Sequence, residues 1–343
     1  MTFITDISKE ARHMEKLLDL SPARRPPHPF WVIVNKEMSD HIRSWRFIIL
    51  LSLILLTCFG SLYTALNTIG TPSKAGSHDN GAFFFLQLFT ATDGTLPSFI
   101  VFINFLGPLL GITMGFDAVN SEFNRGTLNR IMAQPIHRDY LLNGKFVSAL
   151  LVIAILFFSL TFLVMGVGLI VIGIPPTAGE FMRIISFTLL SVLYVAFWLN
   201  LSILFSVRFR QPATSALTSI AIWLFLAIFY PILIRLVAKG LAPDAGMMAP
   251  QEALAQYQHT VITLLRFAPS QLFSDATTTL LMPSIRSLGP LTMEQVVGAI
   301  PNPLPLGESL LIVWPQLTGL IAATVLCFSL SYFSFMRKEI RSR

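Results

Sequence analysis

Apolar residues gather in this chain into six long stretches, at about 47–67, 97–119, 146–174, 184–206, 213–237 and 311–335. A helix crossing the roughly 30 Å hydrocarbon core of a bilayer needs about 20 apolar residues, and each stretch meets that length. The third is long for one crossing, which predicts tilt or an interfacial end. None shows the alternation of a membrane barrel strand. The pattern predicts an all-α integral membrane protein with six transmembrane helices.

The segments between the spans have patterns of their own. Residues 1–20 have a helical period that the prolines of SPARRPPHP then break, so 1–29 reads as a separate segment ahead of a six-span domain at 30–343. Phe30, Trp31, Ile33, Val34 and Met38 alternate with Asn35, Lys36, Glu37, Asp40 and Arg43, which predicts an amphipathic helix over 30–46 lying on the membrane face. The loop at 68–96 contains the apolar run AFFFLQLF, too short to span and expected as an interfacial helix or re-entrant edge. The loop at 239–309 carries helical patterns at 250–266 and 269–281; too short and apolar for an independent domain, it is expected to cap the outer helix ends. Pro108, Pro231 and Pro315 fall inside spans and should kink them.

Composition agrees with this picture: 54% of residues are hydrophobic and 12% charged, against about 25% charged in a soluble domain. Charge then supplies an orientation. Lys and Arg number eight in 1–46, four in the 120–145 connector, two in 207–211 and four after Met336, leaving Lys74, Arg183, Arg235, Lys239, Arg266 and Arg286 on the other side. The positive-inside rule places both termini and the connector in the cytoplasm. The net charge of +6 then reflects orientation and contact with anionic lipid rather than nucleic-acid binding. Residues 1–25 are polar, so no cleavable signal peptide is expected.

Little in the chain suggests catalysis. Cys58 and Cys327 fall inside spans and read as small apolar residues, with no disulfide. There is no P-loop, no HExxH, no CxxC and no GxSxG, and the six histidines lack ligand spacing. Met247, Met248, Met282 and Met293 lack the spacing of a copper site, so no metal is expected. Of the acids only Asp117 falls within a span, near its cytoplasmic end, which counts against an ion-coupled carrier.

The connector is the exception. In DAVNSEFNRGTLNRIMAQPIHRDYLLNGK, from Asp117 to Lys145, Glu122, Arg125, Arg130 and Arg138 are charged and Gly126 gives the backbone latitude. Leu128, Ile131 and Met132 can form an apolar face, and Pro135 stops the helix. A short helix of this kind can insert into a groove of a partner, the alternative being a plain charged loop.

The run Glu122, Gly126-Thr127-Leu128, Pro135, Arg138 and Gly144-Lys145 resembles the E…GTL…P…R…GK pattern of ABC-2-type permeases, the membrane subunits of six-span ATP-binding-cassette exporters. Lys36-Glu37 with Asp40, Arg43 and Arg46 resembles that family's amphipathic lead-in helix, and Phe205-Ser206 with Arg208, Arg210 and Pro212 its second cytoplasmic turn. The likeness covers about 30–240, most specifically 111–150. Within the family the layout is reminiscent of the permease of the nitrous-oxide reductase maturation system, a likeness that does not reach the cargo.

The resemblance implies a non-catalytic permease in the cytoplasmic (inner) membrane, paired with an identical or similar permease and seated on two separate ATPase subunits. Those subunits would hold the ATP and Mg, with no cofactor on this chain. It further implies a coupling helix at about 121–139 that docks into the ATPase. Glu122, Arg125, Gly126, Thr127, Leu128, Arg130, Pro135, Arg138 and Lys145 would serve that contact, with Arg208 and Arg210 as a minor second one. The uncharged interior suggests an apolar or amphipathic cargo, moved outward. A secondary carrier and a membrane-embedded scaffold or enzyme remain as competing readings.

Overall fold

The computed structural model describes residues 28–70, 83–92, 94–133, 137–241, 257, 260–283 and 304–337. Among these there is helix and no strand. The described helices are α1 Pro29–Ile42, α2 Trp45–Gly70, α3 Phe84–Thr90, α4 Phe99–Gly115, α5 Asn120–Asn124, α6 Thr127–Met132, α7 Arg138–Ile172, α8 Ala178–Arg208, α9 Pro212–Leu224, α10 Tyr230–Leu241, α11 Pro269–Leu281 and α12 Leu306–Arg337. Among the described residues six helical segments are long and apolar enough to cross a membrane, and they coincide with the six stretches in the sequence.

The bundle is organised around α8, which packs against α4, α7, α11 and α12 and buries Phe187, Tyr194 and Trp198 completely. Gly107, Gly111 and Gly115 stand one turn apart on the α4 face that meets it. A Cβ on Gly111 would lie 2.7 Å from the Val195 carbonyl oxygen, and one on Gly115 2.8 Å from that of Leu199. Small residues at this spacing let two membrane helices touch backbone to backbone. Hydroxyls then lock the pair: Tyr194 Oη meets the Asn104 amide oxygen at 3.0 Å, and Ser202 Oγ donates to the Ile112 carbonyl at 3.0 Å.

Helix ends account for most differences from the expected span limits. α8 starts at Ala178 rather than 184 because Thr177 and Glu180 form a capping box, each satisfying a backbone N–H of the first turn. Glu180 also accepts from Phe85 N–H at 3.0 Å, anchoring α3. α7 starts at Arg138 rather than 146 because α1 packs along its first turns. With 35 residues and a rise of about 1.5 Å each, α7 is about 52 Å long and exceeds the roughly 30 Å hydrocarbon core by about three-quarters. The amphipathic helix expected over 30–46 ends earlier, with α1 stopping at Ile42 and α2 starting at Trp45.

The prolines are accommodated. Pro108 and Pro315 lie inside helices that continue through them. Ahead of Pro231 the chain makes a π-helical turn, Phe225–Phe229; such a wide turn gives the ring room against the preceding carbonyls.

The loop before the last span departs from the expected cap. The 269–281 helix forms as α11, but it inserts into the bundle instead of resting on it. Phe273 is fully buried and stacks on Tyr194 with ring centroids 4.4 Å apart, and Tyr194 is about 24 Å along a helix of about 46 Å. Tyr230 Oη donates to the Leu264 carbonyl at 2.7 Å, holding the incoming arm. Arg183, itself buried, donates to the Leu280 carbonyl and Ser309 Oγ, both at 3.0 Å, and fixes the outgoing end. The reason is composition: an apolar helix with Phe273, Ala276 and Leu280 on one face gains more by burial than at a surface. α11 also carries Asp275 into the protein interior, held by Gln271 Nε2 at 2.6 Å with Arg266 Nε 3.8 Å away. The count of interior acids in the sequence missed it. Residues 1–27, most of 242–259 and 284–303 lie outside the described residues, as do Met247, Met248 and Met293.

Candidate functional site

The connector emerges from α4 as two short helices joined by an elbow, not as one helix over 121–139. Gly126 forms the elbow with φ +71°, a left-handed conformation that costs an L-residue roughly 1–2 kcal/mol. A Cβ there would meet nothing, so the requirement for glycine is one of backbone and not of space. α6 ends at Met132, ahead of Pro135, which is outside the described residues.

Three sets of bonds fix the elbow to the bundle. Ser206 Oγ, on α8, accepts from the N–H groups of Val119 and Asn120 at 2.9 and 3.2 Å and caps the start of α5. Arg46 at the foot of α2 reaches Asp117 Oδ2 at 2.6 Å. The third set is an ion cluster with a buried centre and an exposed edge. Lys145 Nζ, on α7, lies 2.8 Å from Glu37 Oε2 on α1 and 3.5 Å from Glu122 Oε1 on α5. Lys36 lies 2.9 Å from Glu37 Oε1, 3.3 Å from Asp40 and 4.0 Å from Glu122. The Thr127 hydroxyl donates to the Glu122 carboxylate, so the start of α6 is bound into the same cluster.

Burial pushes the Glu37 carboxyl up, but Lys145 and Lys36 outweigh it and hold Glu37 below the ordinary carboxylate value. Beside it, burial holds His41 below the ordinary imidazole value. A polar cavity of about 400 Å³ opens between α1, α2 and the connector, lined by Asp40, His41, Asp117, Glu122 and Arg125.

The residues expected to contact a partner thus divide in two. Arg125, Gly126 and Arg130 are exposed, as are Arg208 and Arg210 at the second turn. The two regions are neighbours: Asn124 Nδ2 donates to the Arg210 carbonyl at 3.0 Å, and the Arg210 guanidinium stands over the Phe123 ring. Glu122, Thr127, Leu128, Arg138 and Lys145 turn inward. Lys145 is 5% exposed and Leu128 2%. Arg138 donates to the Phe335 carbonyl at 3.0 Å and covers its ring, joining the start of α7 to the end of α12. These inward residues hold the connector to the bundle.

Glu37 entered the sequence reading only through the likeness of the lead-in helix and not as a site residue, although an acid on the apolar face formed by Ile33, Val34 and Met38 was a usable signal. Gly107-xxx-Gly111-xxx-Gly115 was likewise readable. Among the described residues no cluster of His, Cys, Asp or Glu is arranged to hold a metal, and Cys58 and Cys327 are free and buried.

Comparison with known proteins completes the description. The sequence profile of the family described as "ABC-2 family transporter protein" matches residues 31–340. Two curated relatives carry the description "Probable ABC transporter permease protein NosY". The one from Stutzerimonas stutzeri is 28% identical over 214 residues, 60% of this chain and 70% of the relative. The one from Pseudomonas aeruginosa is 25% identical over 228 residues, 64% of this chain and 74% of the relative.

Proposed function

The chain belongs to the ABC-2 transporter family, and from that premise we propose that it is the permease subunit of an ABC exporter in the cytoplasmic membrane. Both termini and the connector face the cytoplasm in this reading, following the distribution of Lys and Arg. Two copies of a separate ATPase, which hold ATP and Mg, dock against the permease, itself paired with an identical or similar chain. No cofactor is required on this chain.

The observation that supports the docking site is the division of the connector. Arg125, Gly126 and Arg130 are exposed beside Arg208 and Arg210, while Glu122 is tied inward to Lys145. A push on the elbow therefore has no slack to absorb it. It passes through Lys145 and Glu37 to α7 and α1, through Ser206 to α8, and through Arg46 to α2. ATP-driven closure of two ATPases would draw the two elbows together and tilt the bundles between two packed states, a rigid-body switch. The cargo is apolar or amphipathic in this reading, because the interior outside the Asp275 region carries few charges.

Co-purification tests the reading. Tagged chain extracted from native membrane is expected to bring down a P-loop ATPase in stoichiometric amount, and an Arg125→Glu, Arg130→Glu variant is expected to lose it. A native preparation free of ATPase would overturn the assignment.

A further inference from the structure

Between α2 and α7 the bundle leaves a groove of about 370 Å³. Its walls come from helix rows at four-residue spacing. Phe47, Leu51 and Leu55 form one side, and Val152, Leu156 and Leu160 the other, with Ser159 as the one polar side chain. The two helices splay apart here, and Ile155, at 61% exposure, stands at the lip. From Val152 to Leu163 the groove extends about 16 Å at the helical rise of 1.5 Å per residue, close to half of the roughly 30 Å hydrocarbon core. It is therefore as deep as one leaflet.

The mouth lies at the end of α1, where Ile42 closes the lining. Ile42 and Trp31 are three turns apart on one face of α1 and are both about half exposed, at 51% and 53%. An exposed Trp on such a face is an anchor at headgroup level. Arg43 follows Ile42 directly and is exposed. Of the basic residues nearby, Arg46 is held by Asp117 and Lys36 by Glu37 and Asp40. Arg43 makes no ion pair among the described residues, and it stands next to Ile42 at the mouth.

We propose that this groove is a binding site for one anionic phospholipid of the leaflet on the connector side, with an acyl chain against Leu51 and Leu156 and its headgroup at Arg43. The apolar walls take the chain by the hydrophobic effect, and the arginine selects the charge. The ligand wedges the lead-in helix and first span against α7, the helix that carries Lys145.

The test is native mass spectrometry of the full chain, after equilibration in nanodiscs holding equal phosphatidylglycerol and phosphatidylcholine. One retained phospholipid per chain is expected, enriched about fivefold for phosphatidylglycerol, the worth of one arginine at an anionic surface. Ser159→Trp, which fills the groove, should abolish retention. Ile155→Trp, which changes the lip and leaves the floor open, should keep it and so control for folding. Arg43→Gln should keep retention and remove the headgroup preference. Retention unaffected by Ser159→Trp would overturn the proposal. So would a disulfide between two copies at Ser159→Cys, because the groove would then be covered by protein.

Discussion

Lys145 reaches across 108 positions of sequence to set its ammonium 2.8 Å from a carboxylate oxygen of Glu37, and both side chains are more than nine-tenths buried. With Glu122 3.5 Å from the same ammonium, that contact makes the lead-in helix, the third span and the connector one mechanical piece.

Removing one partner of a buried ion pair costs about 3–5 kcal/mol, because the other charge is left without compensation. Lys145→Ala leaves Glu37 and Glu122 facing each other and should destabilise by that amount. The double variant Lys145→Met, Glu37→Leu should recover most of the loss. Thermal unfolding of the wild type, Lys145→Met, Glu37→Leu and the double variant in detergent measures the coupling, and strict additivity would show that the pair does not act as one unit.

Gly126→Ala should strain the elbow by roughly 1–2 kcal/mol, and Gly126→Asn by less, since Asn tolerates that region. Gly126→Pro goes further, removing the N–H that donates to the Phe123 carbonyl at 3.2 Å. It should insert into the membrane normally yet fail to stimulate the ATPase. Normal stimulation by Gly126→Pro, read as phosphate release from the reconstituted complex, would exclude the elbow as the transmitter.

Gly111→Ala places its methyl 2.7 Å from a main-chain oxygen of α8 and should destabilise by about 1–3 kcal/mol through overpacking. Gly166→Ala, where a Cβ meets nothing within 4 Å, serves as the control and should be neutral. Equal melting temperatures for the two would contradict the close approach of α4 and α8.

Acidification should loosen the lead-in helix in two stages. His41, faced by Glu37, Asp40, Asp117 and Lys145, has a value lowered from 6.5. The unfolded chain therefore takes up its proton first, and stability is present above 6.5 and lost as pH falls below it. Glu37, lowered from 4.5, adds a second loss below 4.5. Melting temperature followed from pH 7.5 downward should fall, and His41→Asn should flatten the upper stage alone.

The six spans were legible because a bilayer demands long apolar runs, and the connector was legible because its charges interrupt them. The roles of individual connector residues were not. Charge marks Arg125 and Lys145 alike, and only tertiary packing turns one outward and buries the other against Glu37. The insertion of α11 was hidden for a similar reason: its apolar face reads the same whether it caps the bundle or enters it. The helix starts at Ala178 and Arg138 were half legible. Thr177-xx-Glu180 is a readable capping box, whereas the packing of α1 on α7 is not written locally.

The most direct test of the docking elbow is crosslinking in the assembled native complex with a short thiol-to-amine reagent. Single cysteines would replace Arg130, Arg210 or Val34, the last buried at 1% exposure. Cysteines at 130 and 210 are predicted to join the ATPase, with a yield that changes when ATP is added, and the one at 34 to give no product. No product at 130 and 210, or equal product at 34, would contradict the account.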